Sequence, residues 1–270
     1  MPIATDDNPA IDEIAFLANS ANRVAVLERL EGGAHSRHVL AEEAGVSRVT
    51  VGRILDDFAE RRWITQRGQV AEITPLGSWV RESFEALCEV MAAERSLRPV
   101  APWFPPEGFG FPIEQLHDAE ITLVSRADAA APISKLVREF DDGGRVRAFS
   151  FAITGQFLEA CWRAVTAGSA TWEWVFTPAV FEVLVSNPRM ARWSRELLAS
   201  GRATYHRYDG DIPYVVIISG SRVNIRLADD GGAATALVQS DDGVVRSWAE
   251  ETFEGFRRSA TPLTAESFTG

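Results

Sequence analysis

A short stretch near the N-terminus carries side chains of the right types to grip a polyanion. Arg48, Thr50 and Arg53 lie on one side of the segment RVTVGRILDDFAER, and Val51, Ile54, Leu55 and Phe58 lie on the other. Apolar residues at this spacing predict a helix over 48–61. Ser47 is placed to cap it. Guanidinium groups can form paired hydrogen bonds to base edges or phosphates, and a hydroxyl can serve either. Gly52 reads as room for close approach to a groove. Ser36 and Arg37 open a preceding helix, whose N-terminus suits a backbone phosphate. Arg67 marks the tip of an alternating pair of segments, where a cation reaches phosphate or the minor groove. These seven residues (Ser36, Arg37, Ser47, Arg48, Thr50, Arg53 and Arg67) are the candidate contacts to double-stranded DNA.

The elements that must position them are legible. Helical periodicity covers 11–18 and 22–30, with Ser20 as a cap. Arg37–Ala44 forms a short helix stopped by Gly45, and Val46-Ser47 leads into 48–61. That is a helix, a tight turn and a second helix. Trp63–Thr65 and Val70–Ile73 then alternate around Arg67-Gly68 and predict a hairpin. A helix-turn-helix followed directly by a hairpin is a winged helix, with recognition helix 48–61 in the major groove and the wing at 66–69. Residues 34–72 hold six arginines and six acids, so this region is near neutral within a chain of net charge −11. His35 and His38 have no further His or Cys nearby, so they predict no metal site.

The rest of the chain is organised differently. Pro75–Ala93 has an apolar stripe of Leu76, Val80, Phe84, Leu87, Cys88 and Met91, which suits a connector or dimerisation helix. Leu97–Pro112 contains five prolines and four aromatics, Trp103, Phe104, Phe109 and Phe111, which predicts a packed linker. Beyond it, strands at 119–124, 145–151 and 171–177 alternate with helices at 130–141, 155–167 and 178–199. Strands at 203–207, 213–218, 222–227 and 234–239 and a helix at 242–258 follow. Alternation predicts a parallel sheet for the first half, and the meander predicts antiparallel pairing at one edge. The expected fold class is therefore α/β: an N-terminal, mainly helical winged helix-turn-helix domain and a C-terminal α/β domain with a mixed sheet. The expected boundaries are 10–74 for the winged helix, 75–95 for the connector, 96–117 for the linker and 118–262 for the α/β domain.

Ligands of open α/β sheets sit at the carboxyl ends of parallel strands. Those ends offer Ser150, Thr154, Thr177 and Tyr208 as candidate effector contacts, with Arg126 available for an anion. Trp172 and Trp174 share a strand face and read as core. Phosphate-loop, dinucleotide and nucleophile-elbow glycine motifs are absent, so no cofactor and no catalytic residue is expected. The cluster from His206 through Asp209 to Asp211 and the run Asp229–Gly232 read as turns.

Composition limits the remaining classes. Hydrophobic residues make up 46% of the 270, and no apolar run reaches the ~18 residues of a membrane span. The acidic start, Met1–Pro9, is unlike a signal peptide, which points to the cytoplasm. Lys135 is the single lysine; the other 26 basic residues are arginines, against 38 acids. Acid excess with almost no lysine is the balance expected in saturated salt, where a negative net charge says little against a nucleic-acid partner. Cys88 and Cys161 both fall in apolar patterns and predict two reduced, buried thiols.

Several phrases together resemble haloarchaeal winged helix-turn-helix transcriptional regulators. They are IDEIAFLANSANRVAVLERL, GVSRVTVGRILDDFAERRWI, ITPLGSWV, PWFPPEGFGF, RVRAFSFAI, YDGDIPYVV and SWAEETFEGFRRSATPL. That group is similar to archaeal methanogenesis regulators and, more distantly, to TrmB-like sugar-responsive regulators. The resemblance implies a homodimeric transcription factor whose C-terminal domain senses a small molecule, dimerises, or both. TrmB-like effector domains are often compared with the phospholipase D fold, which needs His-x-Lys pairs. This chain has no such pair, so no phosphodiesterase activity is expected. The alternatives are an enzyme with an ancillary winged helix, or an adaptor that contacts proteins and reads no DNA sequence.

Overall fold

A computed structural model describes residues 8–105, 108–128, 130–138, 144–229 and 232–269. The chain divides into two compact units between Val90 and Met91.

Capping residues punctuate the first unit. Asn8, Ser20, Ser36 and Ser47 each accept a backbone N–H at the start of α1 (Pro9–Ala18), α2 (Ala21–Arg29), α3 (Arg37–Glu43) and α4 (Arg48–Glu60). Gly45, with φ 64°, makes the left-handed turn between α3 and α4. A three-stranded antiparallel sheet follows, in the order β1 (His35–Ser36), β3 (Val70–Ile73), β2 (Ile64–Arg67). The hairpin β2–β3 turns at Gly68, with φ 63°. The two-residue strand β1 is too short to leave a period in the sequence. Leu27, Leu30, Leu40, Val51, Leu55 and Phe58 form the core beneath the helices.

The wing is fastened to α5 (Pro75–Leu97). Thr74 donates its backbone N–H to the Trp63 carbonyl at 2.8 Å, and its hydroxyl accepts from Gly77 N–H at 3.1 Å. A Cβ at Gly77 would stand 2.1 Å from the Trp63 carbonyl oxygen, so only glycine fits there.

The second unit is built on one eight-stranded sheet. Its order is β11 (Thr261–Leu263), β7 (Ala203–Arg207), β6 (Ala170–Phe176), β5 (Gly144–Ser150), β8 (Val215–Ser219), β9 (Arg222–Ala228), β10 (Ala234–Ser240), β4 (Glu120–Leu123). Strands β5, β6 and β7 are parallel; β8, β9, β10 and β4 pair antiparallel. The sheet is thus mixed, but β4 departs from the expectation: it is an antiparallel edge strand, three strands removed from β5.

One face of the sheet carries α6 (Ala131–Arg138), α7 (Gly155–Thr166), α8 (Pro178–Ser186) and α9 (Pro188–Ala199). Trp172 and Trp174, each 1% exposed, centre its core. The reading of one helix over 178–199 is corrected to two. Pro188 cannot continue α8, and Asn187 accepts the N–H groups of Arg189 and Met190 to start α9. The other face packs against α10 (Gly243–Arg258) and the proline-rich segment, with Trp103, Phe104, Phe109 and Phe111 against its core. Cys161 is buried as expected, and burial pushes its thiol pKa upward, whereas Cys88 is exposed. Met1–Asp7, Pro106, helix residues 139–141 and the Asp230-Gly231 turn lie outside the described residues.

Candidate functional site

The start of α4 presents its polar side to solvent. Ser47 Oγ accepts from Thr50 N–H at 3.1 Å and lies 2.9 Å from Thr50 Oγ1, so the two hydroxyls form one cap. Arg48, exposed, donates through Nη2 to His38 Nδ1 at 3.0 Å, which holds it toward α3. Arg53 and Arg67 are also exposed. Among the described residues, Arg48, Arg53 and Arg67 form no ion pair. Three other arginines of the unit do: Arg23 pairs with Asp57 at 3.5 Å, Arg61 with Glu13 at 2.7 Å, and Arg81 with Glu31 at 2.5 Å. Val49 between them is 68% exposed. Asp56 and Glu60 continue the same exposed stripe, so cationic character is confined to the first two turns.

Gly52 has a different role from the one its sequence position suggests. It is buried against α3, and a Cβ there would meet Arg37 Nη1 at 3.2 Å. The glycine lets the Arg37 side chain cross α4. Ser36 is occupied as the cap of α3, accepting from Val39 N–H at 3.3 Å.

The strand-end residues of the second unit do not form one group. Ser150 and Thr154 line a cavity on the tryptophan-rich face, and Ser150 Oγ accepts from Trp174 Nε1 at 2.8 Å. Thr154 caps α7, accepting from Phe157 N–H at 3.3 Å. Thr177 is buried where α8 begins, and its hydroxyl has no partner among the described residues. Tyr208 packs with the opposite core, its ring 5.0 Å from that of Phe256. Arg126 is exposed beyond β4, at the far edge of the sheet from β7. The expectation that Arg126 shares a site with Ser150 rested on a parallel β4, and the antiparallel edge position removes it.

A different arginine lines the Ser150 cavity. Arg226 on β9 is 9% exposed. Its Nη2 donates to the Gly232 carbonyl at 3.0 Å, and its Nε has no partner among the described residues. Among the described residues it forms no ion pair. Burial lowers its pKa below the usual arginine range. A buried cation with no counter-charge costs several kcal/mol.

Two domain families match the chain. Residues 11–96 match the HVO_A0261 N-terminal domain, and residues 129–259 match the middle domain of the methanogenesis regulatory protein FilR1. No curated protein sequence matches the chain. Among solved structures it is similar to TrmBL2, described as an archaeal chromatin protein with a novel mode of DNA binding. That likeness has 14% identity over 93% of this chain and 99% of that one, with a TM-score of 0.44. A phospholipase D family member, Nuc from Salmonella typhimurium, is similar at 11% identity over 54% of this chain and 97% of that one, with a TM-score of 0.42. NucT from Helicobacter pylori is similar at 10% identity over 54% and 98%, with a TM-score of 0.40.

Within the HVO_A0261-type domain, sequence reasoning found the exposed arginines but gave no weight to Val49. Within the FilR1-type domain it missed Arg226, although a signal was present. Strand β9 reads RVNIRLA, and its Val223, Ile225 and Leu227 alternate into one core. Asn224 and Arg226 must then face the opposite, also covered, side. A charge at such a position marks an unusual requirement. His206 sits in β7 and His117 follows a 3-10 turn before β4, so they occupy separate parts of the sheet. Burial is the main cause of a lowered His206 pKa, with Arg257 adding to it. Among the described residues no cluster of His, Cys, Asp and Glu could hold a metal, and no helix is long and apolar enough to cross a membrane.

Proposed function

We propose that the protein is a DNA-binding transcriptional regulator that works as a homodimer on double-stranded DNA. The observation that carries this reading is the gathering of Arg48, Arg53 and Arg67, exposed and without an ion pair among the described residues, on a capped helix and its wing. The first two turns of α4 enter the major groove. Arg48 and Arg53 address base edges, Val49 offers an apolar contact to a thymine methyl, and Arg67 on the wing holds phosphate. Arg37 and the N-terminus of α3 lie against the backbone. Asp56 and Glu60 keep the rest of α4 away from phosphate.

An uncovered apolar face in the same unit supports dimerisation. Ile11 (48%), Ile14 (41%), Leu76 (46%), Trp79 (66%) and Leu87 (40%) are exposed. Three of these, Ile14, Trp79 and Leu87, line a single groove between α1 and α5. A second copy covering this groove pairs two recognition helices on one operator. The C-terminal unit is the sensor, and the family match to a regulatory protein supports that role.

Selection of bound fragments from the host genome by the full chain gives the operator. The expected result is one recurrent two-half-site sequence, bound by a species of twice the chain mass. Enrichment of no sequence, with binding equal for all fragments, refutes the reading.

A further inference from the structure

The cavity on the tryptophan-rich face of the large sheet brings together three features that favour negative charge. Arg226 is more than nine-tenths buried and has an unused Nε donor. Ser150, 2% exposed, accepts from Trp174, which leaves its O–H free to donate. The 12-residue helix α7 begins at Thr154, so its positive end faces the same space. None of the described residues lining the cavity is an acid. Water would ordinarily solvate a guanidinium; here Arg226 shares the cavity wall with Ile133, Leu136, Ile153 and Phe157. An uncompensated charge in such walls is retained where a bound anion completes it.

Size and shape narrow the anion. The cavity is narrow and opens to solvent, with about 320 Å³ of unfilled space that includes its mouth. Its inner end, beside Ser150 and Trp174, suits a small flat group. A carboxylate is planar and matches the two-pronged face of a guanidinium. A tetrahedral phosphate is bulkier, and a sugar would bring hydroxyls to apolar walls. Building on the sensor role proposed for the C-terminal unit, we propose that this cavity binds a small organic carboxylate. Its carboxylate lies on Arg226 and Ser150, and its short apolar tail runs toward the mouth of the cavity past the half-buried Ile133 and Ile153.

The test uses the full chain at constant ionic strength, with melting temperature and calorimetric titration as readouts. Sodium butyrate is the probe, with butyramide as its uncharged counterpart and inorganic phosphate as a competing anion. Butyrate is expected to raise the melting temperature saturably, and butyramide and phosphate are not. Arg226→Met is expected to melt higher than the parent without butyrate and to lose the butyrate shift. Arg226→Lys and Ser150→Ala are each expected to bind butyrate about tenfold more weakly, through lost charge-assisted hydrogen bonds. The proposal is overturned by no shift with butyrate, by an equal shift with butyramide or phosphate, or by an unchanged shift in folded Arg226→Met or Arg226→Lys. The measurement needs no DNA, so its failure is separate from that of the regulator reading. Butyrate that binds without changing operator affinity refutes the sensor role and leaves the carboxylate site standing.

Discussion

Among the described residues neither Arg53 nor Arg226 has a carboxylate partner, and their surroundings give that fact opposite meanings. Arg53 stands in water on α4, where an unpaired guanidinium costs nothing and loses nothing by waiting. Arg226 stands in a wall of apolar side chains with one carbonyl for company, where the same isolation is expensive. An exposed free cation is available to any large polyanion that fits the surface. A buried one admits only what fits the hole. The comparison separates two kinds of recognition in one chain: an extended electrostatic face, and a single enclosed charge.

The largest effect should come from reversing the exposed charge. Arg53→Glu is expected to weaken operator binding by roughly a hundredfold, since one good bidentate contact contributes roughly 1–3 kcal/mol and repulsion adds to its loss. Its unfolding free energy should stay within about 0.5 kcal/mol of the parent, as for other surface changes. Gel-shift titration and chemical denaturation measure the two, and an unchanged affinity removes α4 from the groove. The buried charge should behave inversely. Arg226→Met is expected to stabilise the ligand-free chain by about 1–4 kcal/mol, because an apolar side chain replaces an unpaired ion. A loss of stability in denaturant would show that Arg226 is structural.

Arg67→Ala sharpens the exposed side of the comparison. Binding should weaken about equally for all sequences, and the slope of log affinity against log salt should fall by about 1. A slope that does not move takes the wing off the phosphates. The smallest effect is expected at Gly52→Ala. Helix propensity favours alanine by about 1 kcal/mol, while Arg37 must shift by a few tenths of an ångström. The net change in melting temperature should be no more than about 2 °C on the scale of 1 kcal/mol per several degrees. A large loss would mean that the Arg37 crossing holds α3 and α4 together.

The two regions were unequally legible in sequence. Local rules decide the first unit: Ser47 caps, Gly45 turns, and apolar spacing assigns the buried side of α4. The meaning of Gly52 was not local, because the side chain lying over it comes from α3. In the second unit the alternation of strands and helices revealed a mixed sheet, but not which strand lies beside which. Strand β4 has the same local pattern as a parallel strand, and only its pairing with β10 places it at the edge. Arg126 was lost for that reason. Arg226 was missed because a cation in a strand reads as solvent-facing until both faces are known to be covered.

Both borders of the large sheet are poor templates. At one border, β11 has three residues, and Pro262 at its centre has no N–H to offer. At the other, β4 has four residues and carries Glu120, which is ion-paired to Lys135. Neither can readily recruit a foreign strand. Concentrating the protein should therefore not produce fibrils by edge-to-edge growth. In the dimer proposed above, self-association would use the helical groove beside Trp79 instead, where the surface used by one copy is used up by the next and assembly closes at two.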